Sequence, residues 1–276
     1  MTVSIVVPTR DRPARLARCL TALEAQSLPE MEIVVVDDAS VDADAVAATV
    51  ARAPRARLLR GEGRGPAAAR NLGARAARGE IVCFTDDDCV PVPGWAAALA
   101  ERIGAGAQAA AGPTRNARPG NPFAAAAQAV ASYCAEATID PATGRMRFAP
   151  TSNIACRADV LAALPFDERY PLAAGEDRDW CARLVASGAA LVFVPDAVVA
   201  HHQELDARGF WRQQVRYGRG AHRFRSDHGA QLEAPGFYAG LVRRGFAEGP
   251  RAGALVCVAQ LATAVGIAQE AAGTGR

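Results

Sequence analysis

The sequence contains no lysine, and all 31 of its basic residues are arginine. With its abundant alanine this looks like codon bias, and it excludes any lysine-based mechanism, including a phosphate loop closed by Gly-Lys-Ser/Thr. Net charge is nearly absent too, at +2 from 31 basic and 29 acidic residues. No bulk nucleic-acid binding is expected from that balance. The seven cysteines are odd in number and never form a CxxC pair, so neither a zinc site nor a disulfide framework is expected. In "MTVSIVVPTRDR" no basic region precedes an apolar one, so no signal peptide is read and a reduced, cytoplasmic setting is expected. Internal repeats are missing as well.

Half of the 276 residues are hydrophobic and 22% are charged, enough for a sizeable core as one large domain or one domain with an extension. "VSIVVP" (3–8), "MEIVVV" (31–36), "ARLLR" (56–60) and "IVCFT" (81–85) read as strands. Between them lie helical patterns: one from Pro13 with Leu16, Leu20 and Leu23 on one face, then Ala-rich segments at 43–53 and 66–78. This alternation predicts an α/β fold with a mostly parallel sheet covered on both faces. The apolar "AGALVCVAQLATAVGIAQEAAG" near the end carries two Gln and several Gly and Ala, which favours an amphipathic or core helix over a spanning one.

In such sheets ligands bind outside the carboxyl ends of the strands. Strand one leads there to Pro8, Thr9, Arg10 and Asp11, strand two to Asp37 and Asp38, and strand four to Asp86, Asp87 and Asp88. Three adjacent carboxylates repel one another. Either they form a solvated turn or something positive sits on them, a metal ion being the best candidate. The GxGxxG fingerprint of dinucleotide-binding folds is missing after strand one. "GEGRGPAAARNLG" (61–73) follows strand three and by itself is a flexible strand-to-helix connection.

"SIVVPTRDRPARLARCLTALEAQSLPEMEIVVVDDASVD", "GPAAARNLGARAARGEIVCFTDDDC", "FAPTSNIACRADVLAALPFDERYPLAAGEDRDWCARL" and "LVFVPDAVVAHHQE" occur in that order. Over about residues 2–204 the chain resembles the family 2 inverting glycosyltransferases of the GT-A fold. The resemblance implies a Rossmann-like, mostly parallel sheet flanked by helices: residues 1–204 form the glycosyltransferase domain, with 1–112 the nucleotide-sugar half and 113–204 the acceptor half. A helical extension would occupy 205–276. It implies a nucleoside-diphosphate sugar donor and Mn²⁺ or Mg²⁺. Asp86 and Asp88 would form the DxD pair, Asp88 as direct ligand and Asp86 near ribose or metal. In an extended segment these two project to one side and Asp87 to the other. His201, ahead of His202, would be a further ligand, and imidazole beside carboxylates favours Mn²⁺ over Mg²⁺.

By the same resemblance Asp38 would face the donor base, with Asp37 structural and Pro8 and Arg10 covering the base. A carboxylate that accepts an imide N–H favours UDP or dTDP, and guanine's N–H leaves GDP open. Arg70 and Asn71 match the family's "ARN" motif on the donor side, with Asp87 beside them. In "AAGEDRDWCARL" Asp177 would be the general base and Glu176 its neighbour; read alone, such carboxylates simply complement a helix N-terminus.

By resemblance to the family Asn153, Gln213, Arg216 and Tyr217 would fall on the acceptor side. The last three resemble the QxxRW signature of processive members, but Tyr217 replaces Trp, which argues against polymer synthesis. Arg208, Arg212, Arg216, Arg219 and Arg223 form one helical stripe: a solvated face, a site for a phosphate-bearing acceptor, or a contact with an anionic membrane at its inner face. The acceptor hydroxyl could belong to a saccharide, a lipid-linked intermediate or a small molecule. Two other classes remain: an inactive nucleotide- or sugar-binding module, against which Asp86, Asp88 and Asp177 argue, and a nucleotidyltransferase, whose signature loop is missing after strand one. A glycosidase would need neither nucleotide pocket nor metal.

Overall fold

The computed structural model describes residues 1–273; the last three residues of the expected 205–276 extension lie outside them. Strands β1 (Val3–Thr9), β2 (Met31–Asp37), β3 (Ala56–Arg60) and β4 (Ile81–Phe84) alternate with helices α1 (Pro13–Glu24), α2 (Ala43–Val50) and α3 (Pro66–Ala76). The four strands pair in parallel in the order β3-β2-β1-β4. After β4 the chain forms β5 (Cys89–Pro91), α4 (Trp95–Gly104), β6 (Ala109–Ala111), β7 (Thr114–Asn116) and α5 (Pro122–Glu136). It continues through β8 (Ile154–Arg157), α6 (Ala158–Ala163), α7 (Glu176–Ala186), β9 (Leu191–Phe193) and β10 (Val199–His201), and ends with α8 (Ala207–His228), α9 (Pro235–Ala247) and α10 (Pro250–Ala271). The main sheet has seven strands in the order β3-β2-β1-β4-β8-β6-β9, with only β8 reversed. A small second sheet, β5-β10-β7, stands beside it.

Strand side chains alternate between two cores, as period-2 geometry requires. Val3, Ile5 and Val7 join Leu16, Leu20 and Leu23 of α1 and Trp95 and Leu99 of α4 on one face. Val6, Val34 and Phe84 join Trp180 and Leu184 of α7 on the other. Gly73 in α3 sits where an added Cβ would come within 2.4 Å of Val6, so its lack of a side chain lets the helix lie close on β1.

A third cluster joins α5 to the C-terminal helices through Phe210, Leu241, Val256 and Ala259. Arg219 and Arg223 of α8 both pair with Glu270 of α10, at 2.8 and 2.6 Å. The arginine stripe is therefore divided: Arg208 and Arg212 face solvent while these two hold helices together. Helix α10 is long and apolar enough to cross a membrane by length and composition, with a third of its apolar window buried. Ala252, Val256, Ala259 and Ala262 form its inner face, and Leu261 and Val265 are exposed. The far end of α8 is latched to the segment before α7 and to α7 itself, by Tyr170 Oη donating to Asp227 (2.9 Å) and by His228 to Asp179 (2.8 Å).

The strand order turns round between β1 and β4, and the crevice at their carboxyl ends is where such sheets bind ligands. Thr9 ends β1, and the aspartate triplet follows β4.

Candidate active site

The triplet is a turn between β4 and β5, closed by the Cys89 N–H donating to Asp86 C=O at 3.0 Å. It is not the extended segment expected from the sequence, and its side chains do not simply alternate. Each carboxylate takes a different cationic partner. Asp86 accepts from Arg70 Nη2 at 3.0 Å. Asp87, almost fully buried, accepts from Thr9 Oγ1 at 2.8 Å and Arg12 Nη1 at 3.2 Å. Asp88 lies 3.2 Å from His201 Nε2 and 3.6 Å from Arg15 Nη1. Burial alone would raise the Asp88 carboxyl, but His201, Arg12 and Arg15 together hold it below its ordinary range. Burial alone would lower His201, and the adjacent Asp88 outweighs it and raises the imidazole.

Strand pairing delivers His201. β10 runs antiparallel to β5 with His201 opposite Cys89, and the His202 N–H donates to Asp88 C=O at 2.8 Å. This register aims His201, not His202, at the triplet. The ligand atoms of Asp88, Cys89 and His201 lie within 4.8 Å of one another. Burial pushes the Cys89 thiol well up, leaving the carboxylate and imidazole as the donors. An oxygen and a nitrogen donor suit a divalent cation such as Mn²⁺. Asp86 is not part of this convergence. Buried Arg70 needs acceptors on two sides, and it takes Asp86 on one and Glu176 on the other, at 2.9 Å.

Glu176 and Asp177 open α7 behind Gly175, whose φ of 93° is left-handed and readily adopted by glycine. Burial and the neighbouring Asp177 raise the Glu176 carboxyl against the pull of Arg70. Burial raises Asp177 as well, opposed chiefly by Arg178. Asp177 accepts from the Arg178 backbone N–H, at 2.8 Å. Of the five carboxylates from residues 86–88 and 176–177, it alone has no ion-pair partner among the described residues.

At the other end of the crevice, Asp38 accepts from the backbone N–H groups of Gly63 and Gly65, both at 2.9 Å, and so fastens the loop of residues 61–65. Arg10, about half exposed, reaches the same loop, and Pro8 lies in β1 opposite Val36. Asp37 is buried, paired with Arg60, and accepts from Ser40 N–H, a structural arrangement.

The profile of glycosyl transferase family 2 matches residues 4–164. The chain belongs to this family. A pre-mycofactocin glycosyltransferase of Mycobacterium tuberculosis is 29% identical over 225 residues, covering 78% of this chain and 46% of that protein; the chain thus spans about half the length of this relative. Among solved structures, a mannosyltransferase from Pyrobaculum calidifontis in complex with GDP-Man and Mn²⁺ superposes with a TM-score of 0.63 at 22% identity, over 99% of this chain and 79% of that one. GalNAc-T7 with UDP, GalNAc and Mn²⁺ gives 0.59 at 15% identity, over 83% and 55%. These likenesses show the GT-A fold.

Two residues expected in a family 2 site are elsewhere. Asn71 exchanges hydrogen bonds with Phe166 N–H and C=O, both at 2.9 Å, and donates to Glu168. It is buried, and its amide pins the 166–168 loop. Asn153 is fully buried, accepting from Trp95 Nε1 at 2.7 Å and donating to Pro113 and Ala197 C=O. A buried amide with every bond satisfied is a structural rivet, so the acceptor-side expectation is corrected. Arg216 stacks 5.8 Å from the Tyr217 ring, and burial pushes the Tyr217 hydroxyl up to about 12, with Asp177, Asp86 and Glu176 adding to the shift. Gln213 donates to Gln203 at 3.1 Å.

Sequence reasoning missed Arg12, Arg15, Gln128 and Gln203. The two arginines flank Pro13 at the start of α1, and three adjacent carboxylates needing counter-charge were a signal for them. The glutamines come from a distant helix and a loop, with no local signature.

Proposed function

We propose that this chain is a metal-dependent inverting glycosyltransferase that moves a sugar from a nucleoside-diphosphate donor to an acceptor hydroxyl, with Asp177 as general base. The observation that carries the reading is the carboxylate at the head of α7 that forms no ion pair among the described residues, beside a cation-rich crevice in a family 2 chain. A base must be free to take a proton, and burial that raises its proton affinity suits it to the task. The acceptor oxygen would bond to the anomeric carbon from the face opposite the diphosphate. The bond from that carbon to the phosphate oxygen breaks, and the hydroxyl proton passes to the Asp177 carboxylate. Single displacement of this kind inverts configuration.

Asp88 and His201 would hold the divalent cation. When bound, that cation neutralises charge on the departing diphosphate. Arg12 and Arg15, both near Asp88, place further positive charge there. The Glu176–Arg70–Asp86 bridge ties the base-bearing helix to the triplet and sets the distance between the two halves of the site. Asp38 would shape the base pocket through the 61–65 loop, and its spare lone pairs would meet a ring N–H of uracil, thymine or guanine. Arg216 and Tyr217, near the same carboxylates, lie on the acceptor side. The chain would act in the cytoplasm, and the exposed apolar face of α10 supports peripheral contact with a membrane.

The test is a thermal-shift screen of UDP, dTDP, GDP, ADP and CDP with Mn²⁺, with Mg²⁺ or with EDTA. A nucleotide at a hundred times its dissociation constant adds about 2.7 kcal/mol of stability. UDP, dTDP or GDP should stabilise more than ADP and CDP, and the cation should strengthen the effect. With EDTA a smaller shift should remain, because Arg12 and Arg15 still attract the diphosphate. No shift with any nucleotide, or equal shifts with and without cation, would contradict the reading.

A further inference from the structure

His201 meets two side-chain amides through one ring nitrogen. Its Nδ1 lies 3.1 Å from Gln128 Oε1 and 3.0 Å from Gln203 Nε2. A neutral imidazole nitrogen is either donor or acceptor, so one of the two amides must dictate the tautomer and the other must follow it.

Gln128 is the one that is anchored. It is buried in α5, and its Nε2 donates to Thr114 C=O and to Ser132 Oγ, both at 3.0 Å. A carbonyl can only accept, so the nitrogen end of the amide must face Thr114. Ser132 gives its own hydroxyl hydrogen to the same carbonyl at 3.1 Å, leaving its oxygen to accept from Gln128. Both contacts fix the same orientation, and the Gln128 carbonyl oxygen must then face His201. An oxygen that can only accept requires hydrogen on Nδ1. Gln203 has no such anchor. Its other contact is the Gln213 amide at 3.1 Å, which can turn over with it, so Gln203 adapts to the tautomer.

The consequence falls at the opposite ring nitrogen. With hydrogen on Nδ1, the Nε2 lone pair points at Asp88 Oδ1, 3.2 Å away. Two electron-rich atoms at that distance are favourable only with a cation between them. We propose that Gln128 is the positioning residue that holds His201 as its Nδ1–H tautomer and so presents Nε2, together with Asp88, to a divalent cation. This rests on the metal-dependent reading above and extends it to a residue on α5, which belongs to the acceptor half. It follows the general pattern in which a ligating histidine donates its second N–H to an outer partner.

Two measurements test it. Long-range ¹H–¹⁵N correlation spectra of the protein loaded with diamagnetic Mg²⁺, with UDP and separately with GDP present, report which His201 nitrogen carries hydrogen. Titration with Mn²⁺, with UDP and separately with GDP present, followed by the electron paramagnetic resonance of the free ion, gives the affinity. The unaltered protein should show the Nδ1–H form. Gln128→Met keeps bulk but removes the acceptor; it should shift the ring toward Nε2–H and weaken Mn²⁺ binding by about 10- to 100-fold. Gln128→Glu keeps an acceptor oxygen toward the ring, and its second oxygen, protonated in this buried setting, can still donate to Thr114 C=O, so it should restore the Nδ1–H form and most of the affinity. A residue that only supports packing would lower melting temperature in both variants without moving the tautomer. An Nε2–H ring in the unaltered protein, or unchanged tautomer and affinity in Gln128→Met, would overturn the role of Gln128. Failure of the unaltered protein to bind Mn²⁺ with either nucleotide would instead overturn the metal reading beneath it.

Discussion

Three carboxylates can share one turn because cations surround them: Arg70 pairs with Asp86, Arg12 is shared by Asp87 and Asp88, and His201 and Arg15 add to Asp88. Burial still costs Asp87, whose carboxyl is pushed from 3.8 up to about 6. The folded chain therefore keeps a proton that the unfolded chain has released. Stability tied to this group is full below about pH 3.8 and is lost as pH rises through about 6. In chelator-treated protein, Asp87→Asn cannot titrate, so its stability relative to the parent should rise between about pH 4 and 6 and then level. Urea unfolding across that range checks it, and a pH-independent difference would count against the assignment. At this scale the sequence was partly legible. The acidic edge follows strand ends and could be read from element order, whereas His201 and Asp177 were singled out only by the resemblance to family 2 sequences. Gln128 and Gly63 could not be read at all, since they reach the site only through tertiary packing. The same limit explains Asn71 and Asn153, whose motif positions say nothing about whether their amides face a crevice or a buried carbonyl.

The central elements were readable because long apolar runs carry their own period. β1 to β4 and α1 form within a residue or two of the expected bounds, and α2 stops at Val50, three residues early. The three-residue strands of the second sheet are too short to show alternation, yet β10 sets the approach of His201 to Asp88. The C-terminal helices depend on small residues. An added Cβ at Gly266 would come within 1.9 Å of Val215 C=O, and one at Gly218 within 2.1 Å of Thr263 C=O. Backbone cannot step aside as a side-chain tip can, so Gly266→Ala should cost about 1–3 kcal/mol by overpacking. Gly236 in α9 faces open space at an ordinary helical position; Gly236→Ala should be neutral or stabilising by up to about 1 kcal/mol. Chemical denaturation of both variants tests the α8–α10 contact. Equal effects would show that it does not depend on close backbone approach.

For the whole molecule, the proposed donor crevice lies at the turning point of the sheet, and helix α8 packs against the head of α7 where Gly220 meets Gly175. The central claim is that the site divides its labour: Asp88, His201 and the arginines hold the donor, while Asp177 acts only as the acceptor proton leaves. Asp177→Asn preserves size and the bond from Arg178 N–H but cannot accept the proton. The decisive measurement is metal-dependent turnover of the nucleotide-sugar donor, with water as acceptor where no other is known, alongside the donor dissociation constant, in parent and variant. The account predicts turnover lower by about 10²- to 10⁴-fold with the dissociation constant nearly unchanged, and an inverted product. Near-parental turnover in the variant, or a product that retains the donor's anomeric configuration, would contradict it.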